Sequence, residues 1–141
     1  MNNTIFSDFS KWLDLILEEN NFNGVVAFNF NLYEGIDDEG IDGYHIQLIG
    51  SDKFDIDDSD WACPDEIFTT GENIFVIASK HTEEEWYEVL DFCIKMIIEY
   101  LENGIHKDKL LEKTAIGVGF VDGDLYIVYN NGVVEKNIKI E

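Results

Sequence analysis

Basic residues are scarce in this chain: nine lysines or arginines stand against thirty aspartates and glutamates in 141 residues, a formal net charge of −21. That shortage argues against direct binding to nucleic acid, because phosphate contacts need Lys and Arg to displace counterions. An anionic membrane surface repels such a chain as well. No stretch approaches the roughly 18–20 apolar residues of a membrane span. Met1 to Ser10 holds no cationic stretch followed by an apolar run, so no secretory signal is read and a cytoplasmic location is expected. Cysteine is limited to Cys63 and Cys93, which form no CxxC pair and are expected as reduced thiols. His45, His81 and His106 are isolated, with neither HxH nor HExxH spacing, and no serine sits in a nucleophile elbow. No catalytic residue, metal or cofactor is assigned on these grounds.

What the chain does contain is apolar material. Hydrophobic residues make up 45%, with ten Phe, six Tyr and three Trp. A disordered acidic tail lacks the apolar area to offset chain entropy, whereas this composition supports a packed core. With no repeats, low-complexity segment or linker, residues 1–141 read as one domain, and at this length folding hides about 68–70% of the unfolded chain's surface. The acidity therefore decorates a folded body. It is also concentrated: Glu34 to Glu66 carries twelve carboxylates and one base, Lys53, for a sum of 1 − 12 = −11.

Phe6, Phe9, Trp12, Leu13, Ile16 and Leu17 recur at helical spacing and predict a helix over about 7–20, with Ser7 as cap and Asn20-Asn21 as stop. From Gly24 the period becomes two, with Val26, Phe28, Phe30 and Leu32 on one face of a half-buried strand. Glu34 to Gly43 reads as an exposed turn and Tyr44 to Gly50 as the hairpin partner. Ser51 to Gly71 reads as irregular, with a helical turn near Pro64 to Phe68. The apolar run Asn73 to Ser79 predicts a central strand buried on both faces. Thr82-Glu83-Glu84-Glu85 reads as a capping box opening a long helix over about 82–102, which Asn103-Gly104 ends. A short helix over 105–113, a strand over 115–121, a two-residue primed turn at Asp122-Gly123, a strand over 125–129 and an edge strand over 133–140 complete the order. The fold class is α+β: an antiparallel sheet of about five to six strands with the N-terminal and long helices packed against it.

Gly117-Val118-Gly119-Phe120-Val121-Asp122 superficially suggests a phosphate loop, but such loops lead from a strand into a helix N-terminus and these glycines lead into a hairpin. The series Asp52, Asp55, Asp57, Asp58 and Asp60 raises the possibility of calcium. A calcium-binding EF-hand loop needs glycine at its sixth position and glutamate at its twelfth. Counted from Asp52 those places hold Asp57 and Cys63, so the pattern fails. Cys93 lies on the apolar stripe of the long helix and reads as a small buried hydrophobe. Nearby negative charge makes Cys63 a poorer nucleophile.

The carboxylates of 34–66 are of one sign and interleaved with Tyr33, Tyr44, Phe54, Trp61 and Phe68, a combination that suits capture of a basic protein. The candidate partner-contacting residues are Glu34, Asp37, Asp38, Glu39 and Asp42 in a first segment, and Asp52, Asp55, Asp57, Asp58, Asp60, Trp61, Asp65 and Glu66 in a second. If the two lie at opposite ends of the sheet, the second is expected to meet the partner, because Trp61 adjoins it. The alternative reading is an acidic calcium-binding or small enzymatic protein using Asp52 to Asp60. With its N-terminal helix, Trp61-Ala62-Cys63-Pro64-Asp65, the helix opening at Trp86 and the Gly117 to Leu125 hairpin, the chain resembles the small acidic immunity proteins encoded beside bacterial polymorphic or contact-dependent toxins. That resemblance implies a non-enzymatic cytoplasmic inhibitor that binds one cognate basic toxin domain, often a nuclease, and blocks or distorts its active site.

Overall fold

A computed structural model describes residues 3–36, 39–40, 42–62, 66–78 and 85–140. Among the described residues, helices α1 (Asn3–Glu19), α2 (Trp86–Asn103) and α3 (Lys107–Leu111) accompany seven strands: β1 (Ala27–Ile36), β2 (Asp42–Ser51), β3 (Glu66–Thr69), β4 (Phe75–Ala78), β5 (Ala115–Phe120), β6 (Tyr126–Asn130) and β7 (Val133–Val134). The fold is α+β, as the patterning predicts. Spatial order is β3-β2-β1-β5-β6-β7, with β4 also on β2. β3 pairs with the last residues of β2 and β4 with its first, so the two share one edge, and six sheet positions result.

The sheet is mixed and not wholly antiparallel, because β1 and β5 run parallel at its centre. After the β1–β2 hairpin the chain returns through α2 and α3 before entering β5, and a crossover of that length places two strands side by side in the same direction. Alternation then sorts the faces. Phe28, Phe30 and Leu32 of β1, Ile46 and Leu48 of β2, and Ile116 and Val118 of β5 join Phe9, Leu13 and Leu17 of α1 and Leu90, Cys93 and Ile97 of α2 in one buried cluster. Both long helices therefore cover one face. On the opposite face a smaller cluster forms from Ala27, Ala115, Trp61 and Ala62, with Phe54, Leu125 and Ile127 against it.

Several local expectations change. α1 begins at Asn3, earlier than Ser7. β1 continues to Ile36 and pairs with Asp42, so the acidic turn is shorter than Glu34 to Gly43. Among the described residues β4 is an edge strand bonded to β2 alone, with Phe75 and Ile77 buried and Val76 half-buried between them, so the apolar run 73–79 is not the central strand. The helical turn lies at Ser59–Ala62 and Glu66–Thr69 is a strand. The last strand is two residues long, because after Val134 the chain leaves the sheet and lays Ile138 and Ile140 on the core. α2 opens on Glu85, whose amide donates to the Glu88 carboxylate at 3.3 Å, a reciprocal cap one turn beyond the expected one. Thr82, Glu83, Glu84, Cys63, Pro64 and His81 lie outside the described residues.

The primed turn also moves. Asn131 (φ 48°) and Gly132 (φ 89°) both take positive φ between the paired residues Asn130 and Val133, the geometry of a two-residue primed hairpin. The Asp122-Gly123 pair sits instead in a five-residue loop, Val121 to Leu125, closed by the Gly123 amide donating to the Phe120 carbonyl at 2.9 Å. A register shift between Ile116 and Gly117 leaves β5 and β6 misaligned for a tight turn.

Burial leaves a pH signature. The Cys93 thiol is wholly enclosed, and burial pushes its pKa well above the ordinary 9.0. Tyr100, enclosed between helices with its hydroxyl donating to the Asp14 carboxylate, is pushed well above 10.0 by burial and then by that bond and charge. Both native pKa values exceed the unfolded ones, so their contribution to stability is complete below the unfolded pKa and is lost as pH rises above it. We expect stability to decline from about pH 9 upward, by up to about 1.4 kcal/mol per pH unit for each group. Urea melts at successive pH values check this. Cys93→Ala is expected to move the onset toward pH 10, and an unmoved onset refutes the assignment.

Among the described residues, no helix is long and apolar enough to cross a membrane.

Candidate functional site

The ten residues of β2 separate the two acidic segments. At about 3.3 Å per residue this is close to 30 Å, more than three Debye lengths at physiological salt. They are thus two surfaces. Asp52 follows the end of β2, and Asp42 opens it.

In the second segment Asp52, Asp55, Asp57, Asp58 and Asp60 are all exposed. Their spacing has a local cause: Asp55 Oδ1 accepts the Asp57 amide at 2.9 Å and Asp58 Oδ1 accepts the Asp60 amide at 3.0 Å, two turns in which an aspartate binds the backbone two residues on. Phe54 and Trp61 point the other way. Their rings meet edge to face at 5.1 Å, and Trp61, 4% exposed, covers Ala27 and Ala115 at the start of the parallel strands. Trp61 is therefore a core residue and not an exposed anchor, which removes the reason for preferring this segment. The loop is a cover whose carboxylates face solvent. Glu66 is the first residue of β3, and Asp65 lies outside the described residues. Among the described residues no three carboxylate, imidazole or thiol groups converge to hold a metal ion, so the aspartates are not gathered as the calcium reading requires.

At the other end, Glu34, Glu39 and Asp42 are exposed, while Asp37 and Asp38 lie outside the described residues. Here the fold adds groups from elsewhere in the chain. The C-terminal ends of β1 and β5, the start of β6 and the first turns of α2 surround a cleft of about 660 Å³. Leu90 is buried at its base, Trp86, Phe120 and Tyr126 form its walls, and Glu34, Asp122 and Asp124 stand exposed on its rim. Tyr33 also lines it. Trp86 meets Phe120 edge to face at 6.1 Å and stays 45% exposed, an unusual position for a large apolar side chain beside a core. Phe120 in turn lies against Tyr44 at 5.9 Å.

Electrostatics locate a further acid beside the cleft. The Tyr44 phenol is held above its ordinary pKa by burial first, then by the charge of Glu34 and its hydrogen bond, and then by the charge of Glu85. Glu85, at the opening of α2, thus lies within electrostatic reach of Tyr44. None of the described residues lining the cleft is basic. Several lysines are engaged at the far end of the molecule. Lys109 donates to the Leu17 carbonyl at 2.6 Å and Lys113 to the Phe22 carbonyl at 2.8 Å, near the C-terminal end of α1, where cations suit the helix dipole. Lys136 pairs with Glu102 at 2.7 Å near the end of α2.

Trp86, Phe120, Asp122, Asp124 and Tyr126 are absent from the residues that sequence reasoning selected. The available signal was the same interleaving of acids and aromatics that drew attention to 34–66, repeated over Phe120 to Tyr126. In the sequence that stretch reads as a hairpin turn, and Trp86 as the opening of the long helix. Comparison with models of known protein families, with curated proteins and with solved structures gives no match.

Proposed function

We propose that this chain is an immunity-type inhibitor: a non-enzymatic cytoplasmic protein that captures and neutralises a cognate basic toxin domain. The observation that carries this reading is one-signed charge held outward on an ordered body, with exposed carboxylates at both ends of the sheet and lysines bound internally near the end of α1. A net charge of −21 disfavours the compact state through self-repulsion, so its retention on a fold of this size points to a partner of opposite sign. A toxin domain that holds nucleic acid presents such a surface, and carboxylates can occupy the places of its phosphates.

Electrostatic capture makes a kinetic prediction. Association with a cognate basic toxin domain is expected to slow about tenfold between about 50 and about 300 mM NaCl, with little change in dissociation. Joint replacement of Asp55, Asp57, Asp58 and Asp60 by Asn is expected to slow association several-fold at low salt, because distant charges still steer encounter. Surface plasmon resonance measures both. Salt-independent association or no complex overturns the reading, and an unchanged on-rate in the quadruple variant removes the 52–60 loop from it.

A further inference from the structure

We infer that the cleft between Trp86, Phe120 and Tyr126 is a receptor for an arginine side chain presented by a basic protein partner. This inference rests on the reading of the chain as a binder of basic protein, and it adds the place and the chemistry of recognition.

Three properties of the cleft converge on that guest. Its rim supplies three exposed carboxylates, Glu34, Asp122 and Asp124, carried by β1 and by the loop after β5, so a cation in it meets negative charge from two parts of the chain. Its walls are aromatic. A guanidinium is flat, weakly hydrated and stacks on aromatic faces, whereas an ammonium is a compact, strongly hydrated point charge that gains less from the same walls. The volume, about 660 Å³, exceeds what one side chain fills and leaves room for flanking backbone. The helix dipole does not oppose the guest, because the positive end of α2 already faces Glu85 and Glu88.

The site also distinguishes the partner from the chain itself. The chain contains no arginine, so every guanidinium signal in a mixture belongs to the added molecule. Exposed carboxylates alone do not separate arginine from lysine, but an aromatic cleft does. The experiment is built on that difference.

Blocked tetra-arginine, tetra-lysine and tetra-citrulline peptides are titrated into the isotopically labelled full chain and followed by amide and indole NMR. The arginine peptide is expected to bind at least about fivefold more tightly than the lysine peptide, and the citrulline peptide not to bind. Shifts are expected to centre on Glu34, Trp86, Phe120 and Asp124. A Glu34→Gln, Asp122→Asn, Asp124→Asn variant is expected to lose about tenfold in affinity. The Asp55, Asp57, Asp58 and Asp60 to Asn variant is expected to stay within about twofold, its charges lying several Debye lengths away. Trp86→Ala is expected to reduce the preference for arginine over lysine while leaving residual charge-driven binding. Equal binding of arginine and lysine, or shifts centred on 52–60, overturns the cleft as an arginine receptor and leaves the basic-partner reading intact. Failure of both cationic peptides to bind, together with no complex with the toxin domain, overturns both.

Discussion

Trp61→Ala is expected to lower the unfolding free energy by about 3–5 kcal/mol, the range for removing a large aromatic from a core. For a chain of this size that corresponds to a fall in melting temperature of about 10–17 °C. Trp61 is the largest side chain of the small cluster on the face opposite α1 and α2, where it lies over Ala27 and Ala115 and against Phe54. The neighbouring β5 residue, Gly117, leaves the indole its space: a β-carbon there would lie 3.3 Å from Trp61 Cζ2 and 2.7 Å from Asn29 Oδ1. Truncating the ring exposes the starts of β1 and β5 and releases the 52–60 loop from its apolar attachment. Trp86→Ala is the informative comparison, because that ring is 45% exposed and its loss is expected to cost about 1 kcal/mol or less. Thermal and urea denaturation of both variants measures the contrast. If Trp61→Ala stays within about 0.5 kcal/mol of the parent, the ring belongs to the surface, and the 52–60 segment returns as the anchored face.

The pair of tryptophans shows what the sequence makes legible and what it does not. Helices α1 and α2 and strand β1 follow from periodicity, and β2, β5 and β6 from the turn residues that bound them. Periodicity does not say which strand is central. The run Phe75 to Ala78 resembles a doubly buried strand, but β4 alternates around Val76 at the sheet edge. β5 is buried along most of its length although two of its six residues are glycine. The parallel pairing of β1 with β5 is likewise not local information, since it depends on where the crossover returns. The acidic segments were legible as charge and misleading as a surface. Asp55 and Asp58 serve their own loop, and the aromatic next to them points inward. Local reading can mark the acids and aromatics of Phe120 to Tyr126 but not the cleft itself, because Glu34, Trp86 and Asp124 are brought together only by the pairing of β1 with β5 and the packing of α2.

Gly119→Val is expected to destabilise the fold by at least about 3 kcal/mol, although valine is the better strand former. The reason is a backbone collision. A β-carbon at Gly119 would fall on the Asp124 carbonyl oxygen and within 3.2 Å of Leu125 Cα, where the 121–125 loop folds back over β5. A flexible side chain could turn aside, but a carbonyl held in a loop moves only if the loop moves. Gly119→Ala introduces the same first carbon and is expected to lose most of that stability as well. Gly123→Ala is the control within the same glycine-rich run: its nearest neighbour would be Phe120 Cβ at 3.5 Å, ordinary contact, and its φ is not among the positive ones. It is expected to stay within about 0.5 kcal/mol of the parent. Chemical denaturation gives the stabilities, and amide NMR reports whether Asp122 and Asp124 shift. Because those two residues form part of the cleft rim, displacement of the loop by Gly119→Ala should weaken arginine-peptide binding even where the chain remains folded. Undiminished stability in Gly119→Val would mean that the loop stands clear of β5, and the rim carboxylates would then have no fixed position from which to select a guest.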